Sequence, residues 1–461
     1  MSVSIWWIRR DLRLHDNLAM QAALSEGSLL PVFILDPVLL SKEAAPRQGF
    51  LFAGLCQLDQ DLRARGSRLL IRRGDPLEEL ARLKDESGVA SIHAAEDYTP
   101  YARRRDELVA RALPLRLHAG LTVHHPLVLR KPDGRPYTVF TPFSRTWKAL
   151  PFCGSSPSTP ASLPPVPDLP GEILPDLPAP SIFPAGEAEA LRRLEAFLAG
   201  PGAAYADGRN RLDLEGSSAL SPYLRFGMLS PRLAAGRAIE FAHSSHDPQA
   251  SRGYETWLNE LIWREFYQMI LYEFPTVLRT AFNPALRRIP WREAPEDLLA
   301  WREGRTGFPV VDAGMRQLAA AGWMHNRARM ITASFLTKDL LIDWRLGEAW
   351  FMRCLVDGDP ASNNGGWQWS AGTGTDAAPY FRIFNPVLQG QKFDPRGDYV
   401  RRWVPELASV PDVYIHAPWQ MPEELQRSLG VWVGQDYPAP MVDRAAARER
   451  ALAAYRASSQ R

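Results

Sequence analysis

Residues 68–95 read RLLIRRGDPLEELARLKDESGVASIHAA. A short apolar run, RLLIR at 68–72, gives way to PLEELARLKDESG, whose apolar residues recur near helical spacing and which ends on a glycine. A second apolar run, ASIHAA at 90–95, follows. The same alternation extends in both directions. SIWWI (4–8), LLPVFIL (29–35) and LTVHHPL (121–127) are further strand candidates, and NLAMQAALSEG, QGFLFAGLCQLDQDLRARG and YARRRDELVARAL lie between them as helices. Strand–helix alternation of this length predicts a doubly wound parallel α/β sheet, Rossmann-like, over residues 1–130. No G-x-G-x-x-G or G-x-x-x-x-G-K-[ST] follows a strand, so nothing in this part announces a bound nucleotide.

The chain has 461 residues, more than one hydrophobic core usually serves. Residues 151–184 are dense in proline and lack periodicity, which predicts a semi-extended linker, placed at 131–185, lying outside both cores. Beyond it the strand signal stops. AEALRRLEAFLAG, LSPRLAAGRAIEFAH and VVDAGMRQLAAAGWMHNRARMITASFLTKDLLI read as helices, so residues 186–461 are expected to form an all-α domain. Most of the 15 tryptophans fall there.

The net charge is only +2, but Arg287, Arg288, Lys392, Arg396, Arg401 and Arg402 crowd the second half, as a nucleic-acid partner or a solvated surface would have it. Three cysteines, Cys56, Cys153 and Cys354, stand far apart, and no C-x-x-C or H-E-x-x-H spacing occurs, so neither a disulfide framework nor a metal site is expected. No apolar run approaches the ~20 residues of a membrane span, and MSVSIWWIRRDLRLHDN lacks the features of a signal peptide. A reduced, cytoplasmic protein is the expectation.

Four segments carry candidate chemistry. In YETWLNELIWREFYQMI (254–270), Glu260, Trp263, Arg264 and Tyr267 share one helix face, while Leu258, Leu261, Ile262 and Met269 supply core elsewhere. LEGSSALSPYLRFG (214–227) clusters hydroxyls before a Ser-Pro helix start, with Ser221 placed to cap it, and suits an anion such as a pyrophosphate. In MHNRARM (324–330), Arg327 and Arg329 cannot face the same way, so one is free for phosphate while the other pairs with an acid, Asp357 or Asp359 being candidates; His325 reads as structural. Finally, NNGGWQWSAGTGTDAAPYFRIFNP (363–386) reads as a Gly-rich turn from which Trp367 and Trp369 point in different directions.

Together with WWIRRDLRLHDN (6–17) and FNPVLQGQKFDPRGDYVRRWVPEL (384–407), these segments resemble the DNA photolyase/cryptochrome family, most closely its bacterial class I cyclobutane pyrimidine dimer photolyases. The resemblance implies a lyase. Reduced, anionic FAD in the helical domain, excited by blue light, would lend an electron to a flipped-out dimer, the cyclobutane ring would split, and the electron would return. Carried over by position, Tyr205, Ser217, Ser218, Ala219, Leu220 and Ser221 would hold FAD around its phosphates. Asp357, Gly358, Asp359 and Asn363 would lie on the flavin side, with Arg329 paired to Asp357 and Asn363 facing flavin N5. Glu260 would hydrogen-bond the dimer, with Trp263 and Trp369 as its walls and Met330 as its floor. Trp257, Arg264, Tyr267, Asn326 and Arg327 would contact DNA around it. Trp367, Trp344 and Trp291 would form an electron-transfer chain to the surface.

Within the family, (6-4) enzymes carry a second His where this chain has Asn326, so a cyclobutane dimer is the expected substrate. Folate-antenna relatives carry Glu where this chain has Ala102, so a second, antenna chromophore is expected to be a deazaflavin or FMN rather than folate, or to be absent. The expected partner is UV-damaged DNA, with no membrane, no obligate protein partner and a monomeric state. The chain also ends in a short basic helix, without the long polar tail of signalling cryptochromes. A cryptochrome-type light sensor is the alternative that shares the cofactor; a light-independent electron-transfer flavoprotein would explain the tryptophans but not the dimer pocket.

Overall fold

The computed structural model describes residues 3–152, 154 and 159–459. It divides into two compact units that interleave along the chain. One comprises residues 1–206, 218–275 and 356–361, the other residues 207–217, 276–355 and 362–461.

The first unit contains a five-stranded, all-parallel sheet, β1 (Val3–Ile8), β2 (Ser28–Leu35), β3 (Leu70–Arg73), β4 (Val89–Ala95) and β5 (Leu115–His118), in the order β3-β2-β1-β4-β5. Helices Leu18–Glu26, Ala45–Arg63, Pro76–Ser87 and Pro100–Ala112 connect successive strands, as the alternation predicts. β1 and β2 are buried almost throughout because a doubly wound sheet is covered on both faces, which is why they read as continuous apolar runs.

The expected fifth strand is a correction. LTVHHPL forms no strand, and β5 is LRLH at 115–118, paired with Ile92–Ala95. An edge strand with two exposed residues, Arg116 and Leu117, carries no apolar signature. Residues 121–124 are instead held by a side chain. Glu265 accepts the N–H groups of Val123 (2.5 Å) and His124 (3.4 Å), together with Trp147 Nε1 (2.7 Å).

The proline-rich run is likewise no free spacer. It follows a short helix, Phe140–Ala149, and its described part lies beside the sheet edge: Glu172 N–H donates to Ile71 O of β3 at 2.9 Å, and Leu163 N–H to Arg65 O, ahead of that strand, at 2.8 Å. Leu163 is buried, and Val166 and Leu169 pack on the sheet core. Proline serves here because an edge needs only occasional donors from the segment that covers it.

After the run come helices Glu187–Ala199, Ser221–Phe226, Pro231–Ser244 and Pro248–Glu273, all in the first unit. The second unit is helical, including Pro295–Arg302, Pro309–Ala321, Asn326–Ser334, Trp344–Cys354 and Arg444–Ser459. Among the described residues no helix is long and apolar enough to cross a membrane, and no group of three or more His, Cys, Asp or Glu could hold a metal ion. Cys56 and Cys354 are free thiols, and Cys153 lies outside the described residues.

Burial raises the Glu265 carboxyl from 4.5 to about 7, against its hydrogen bonds and nearby Arg264. The folded chain therefore keeps a proton that the unfolded chain loses between those values, and stability should fall by about 3 kcal/mol as pH rises through that window, then level off. Glu265→Gln should flatten this slope in urea unfolding from about pH 5 to about pH 8; an unaltered slope would place the titration elsewhere.

Candidate functional site

The Pro248–Glu273 helix begins with Asp247 as cap and Pro248 in its first turn. Its two faces separate as the spacing predicts: Leu258, Leu261, Ile262 and Met269 are buried, whereas Glu260, Trp263, Arg264 and Tyr267 are half-buried. The Trp263 indole is held flat. Phe140 stacks on it at 3.7 Å with an interplanar angle of 4°, and Tyr267 and Phe266 lie 5.5 Å away on the same helix. The result is an aromatic wall beside a carboxylate.

Two residues expected at DNA have partners within the protein. Trp257 is 3% exposed and donates from Nε1 to Ser218 Oγ at 3.2 Å. Phe197 packs on it at 5.1 Å and on Tyr205 at 5.6 Å, so Tyr205, Trp257 and Ser218 form one cluster. Arg264 donates to Leu121 O (2.7 Å) and Leu224 O (3.4 Å), and strong desolvation lowers its pKa. Its guanidinium ties two backbone segments together. Spacing assigns both to the right helix; only the tertiary neighbours show what they face.

The Ser221–Phe226 helix starts with Leu220, not Ser221, at the cap position; Leu220 has αR geometry and makes no side-chain cap bond, and Ala219 before it is left-handed at φ 48°. A left-handed residue followed by a right-handed one turns successive N–H groups toward a common point, the arrangement that binds anions. A non-glycine residue in that region is strained by roughly 1 kcal/mol, as residues at functional turns often are. In the second unit, Gly216 passes so close to Gly208 that a Cβ there would lie 3.0 Å from Gly208 O.

The expected Gly-rich turn is a correction as well. Asn363, Asn364, Gly365, Gly366, Trp367 and Trp369 lie in the helix Pro360–Ala371. Two interior glycines each disfavour helix by about 1 kcal/mol, and tertiary packing overrides them. Residues two apart on a helix lie about 200° apart, so the indoles do face different ways: Trp367 is 2% exposed and Trp369 half-buried. Asn363 donates from Nδ2 to Glu348 O (3.0 Å) and to its carboxylate (2.9 Å), and desolvation raises the Glu348 carboxyl. With both contacts made through Nδ2, the Asn363 Oδ1 is turned away as an acceptor.

Trp367 sits between Phe351 (4.9 Å) and Trp301 (6.0 Å), and against Gly347. Trp344 is 2% exposed and Trp291 half-buried, both at the same core as Trp367. Met330 and Trp369 rim that core. On the Asn326–Ser334 helix, Asn326 is exposed, with Nδ2 4.0 Å from Met330 Sδ. Arg327 bonds Asn210 and lies 4.5 Å over Phe393; Arg329 donates to Met324 O at 2.8 Å. His325 is structural as expected: Nδ1 accepts the Arg327 N–H at 3.1 Å as helix cap, and burial lowers its pKa to about 4. Of the basic crowd, Arg396 pairs with Asp398 (2.9 Å) and Arg401 with Asp412 (2.7 Å), as solvated surface does.

Sequence reading missed Phe140, Glu348, Gln268 and Asn210. Gln268 alone left a signal, a polar residue at a core position between Tyr267 and Met269, and it is 0% exposed. The others act through contacts far apart in sequence.

The sequence matches the family described as DNA photolyase over residues 4–166 and the FAD binding domain of DNA photolyase over residues 257–457. It is 41% identical to the deoxyribodipyrimidine photo-lyase of Agrobacterium fabrum, over 98% of this chain and 97% of that one. Its fold superposes on a bacterial class III photolyase from Agrobacterium tumefaciens with a TM-score of 0.94 and 39% identity, covering 100% and 98% of the two chains. An archaeal photolyase from Sulfolobus tokodaii, solved with two FAD molecules, gives a TM-score of 0.82 at 30% identity, covering 98% and 99%. The chain belongs to the DNA photolyase family. It is an FAD-binding, light-driven DNA-repair lyase of that family.

In the first unit the Ala219–Leu220 turn offers converging N–H groups of the kind a pyrophosphate takes, and in the second unit Asn363 offers an oriented carbonyl oxygen; each, taken by itself, fits the cofactor. The wall of the Trp367 site should be intolerant of added volume. A Cβ at Gly347 would lie 2.1 Å from Trp367 Cη2, so Gly347→Ala should destabilise by about 1–3 kcal/mol and alter the near-UV circular dichroism of the indoles. A silent substitution would mean that Trp367 is loosely held.

Proposed function

We propose that this chain splits cyclobutane pyrimidine dimers in DNA, binding the extruded dimer against Trp263, Trp369 and Met330 with Glu260 at its polar edge. The observation that carries the reading is the half-buried Glu260 one helical turn from a Trp263 indole held flat by Phe140. A flat aromatic wall grips a base by stacking, and a neighbouring carboxyl supplies a hydrogen bond to a thymine edge. When bound, reduced FAD supplies, on excitation by light, the electron that opens the cyclobutane ring and takes it back.

The protein's own part is positioning. Ser217, Ser218, Ala219, Leu220 and Ser221 would hold the phosphates, with Tyr205 and Trp257 beside them. Asp357 and Gly358, with Arg329 paired to Asp357, would hold the flavin side. Asn363 Oδ1 is proposed to accept a hydrogen bond from the reduced ring, and its orientation by Glu348 supports that role. Trp367, Trp344 and Trp291 would pass an electron inward from the surface. A second chromophore, a deazaflavin or flavin, would sit outside the carboxyl ends of β1 and β4, where strand order reverses and Tyr101, Arg9 and Arg105 gather aromatic and cationic groups. A division into an antenna part (1–130), a connecting part (131–185) and a catalytic part (186–461) belongs to this reading, as do a monomeric state and a cytoplasmic location.

The test is chemically reduced protein mixed with UV-irradiated oligothymidine under blue light, beside a dark control. Recovery of thymine absorbance only in the light is expected. Retained, photoreducible FAD without recovery would favour a light sensor. Glu260→Ala should lower repair per absorbed photon severalfold with modest loss of binding, and an unchanged yield would leave Glu260 a scaffold residue. Trp367→Phe should slow light-driven reduction of bound FAD at least about tenfold while sparing repair by protein reduced with dithionite; loss of that repair would contradict the relay.

A further inference from the structure

The carboxylate of Asp359, expected at the cofactor, is engaged within the protein. Oδ1 accepts the Ala361 N–H at 3.0 Å and Gln268 Nε2 at 3.1 Å; Oδ2 accepts Arg10 Nη2 at 2.7 Å. Arg225 Nε stands 4.0 Å from Oδ2 and donates to Gly358 O at 2.8 Å. Asp359 immediately precedes the Pro360–Ala371 helix, so its carboxylate satisfies a first-turn N–H and faces the positive end of the helix dipole. That helix carries Asn363 and Trp367.

Arg10 lies just beyond β1, and its own position is closely determined. Nε donates to Arg225 O at 3.1 Å and Nη1 approaches Asp97 at 3.4 Å. A Cβ on Gly227, at φ 65°, would lie 1.9 Å from Arg10 O, and Leu12 N–H bonds Phe226 O at 3.1 Å. The Arg10 and Asp359 side chains are only 7% and 8% exposed. A planar guanidinium bonding three groups at fixed angles transmits position as well as charge, which a lysine cannot do.

We propose that Arg10 is a positioning residue for the cofactor: through Asp359 it sets the first turn of the Pro360–Ala371 helix, and with it Asp357 and Asn363. Asp359 acts as that helix's anchor rather than as a cofactor contact. The inference rests on the assignment of Asp357 and Asn363 to the flavin. Removing Arg10 takes from a buried carboxylate the guanidinium that bonds it at 2.7 Å, while Arg225 stands farther off at 4.0 Å, so the local backbone must rearrange to compensate the charge.

The test measures the FAD dissociation constant of the full chain, from the fluorescence of released FAD, and the unfolding temperature with and without FAD. Arg10→Met and Arg10→Lys should each weaken FAD binding about tenfold or more. Arg10→Met combined with Asp359→Asn should recover most of that loss, because an amide still caps the helix and strands no charge. Gln268→Met, which removes one donor without stranding a charge, should weaken binding less and serves if Arg10→Met does not fold. Unchanged affinity in the Arg10 variants, while Asp357→Ala and Asn363→Ala lower it, overturns the proposal alone. Additive loss in the double variant also overturns it, marking Arg10 as a general stabiliser. If Asp357→Ala and Asn363→Ala leave affinity unchanged, the site assignment falls and this proposal with it.

Discussion

A single 26-residue helix, Pro248–Glu273, has to present polar chemistry on one face and core on the other, and much of the first unit is arranged around that constraint. Outward it shows Glu260, Trp263 and Tyr267. Inward it buries Leu258, Leu261, Ile262 and Met269, but also Glu265 and Gln268, two polar groups that a core accepts only when they are bonded. Glu265 collects three donors from residues 123, 124 and 147, and Gln268 donates to Asp359. The helix thus orders both a stretch that cannot pair in the sheet and the loop that starts the Asn363 helix.

The same economy appears at the carboxyl end of the sheet. Arg9 bridges Asp106 at 2.5 Å, and Arg10 joins Asp97 and Asp359. Buried ion pairs contribute little net stability, because desolvation offsets attraction, yet breaking one is strongly destabilising. Such pairs act chiefly on geometry. The strand end of a doubly wound sheet, where ligands of this fold class usually settle, is here also the anchor point for a helix of the candidate cofactor site.

Much of this was legible beforehand. Four strands and the helices between them follow from apolar periodicity, since parallel strands buried on both faces write continuous apolar runs. The face of Glu260, Trp263 and Tyr267 follows from helical spacing, and the structural role of His325 from its surroundings. What misled is equally physical. β5 is exposed and leaves no run, LTVHHPL buries Leu121 but gives its N–H groups to Glu265 rather than to a strand, and the glycines of NNGGWQW look like a turn although they lie in a helix.

By itself the sequence determined the class of each half and the family the chain belongs to, because periodicity and motif order are local properties of a chain. The tertiary structure decided which way each polar group turns. Trp257 and Arg264 bond Ser218 and two backbone carbonyls, Asn363 is oriented by Glu348, and Trp263 is fixed by Phe140. Those partners lie anywhere from 15 to 143 residues away. Spacing along a helix says which residues share a face, but hydrogen-bond geometry and burial depend on what the fold brings against that face.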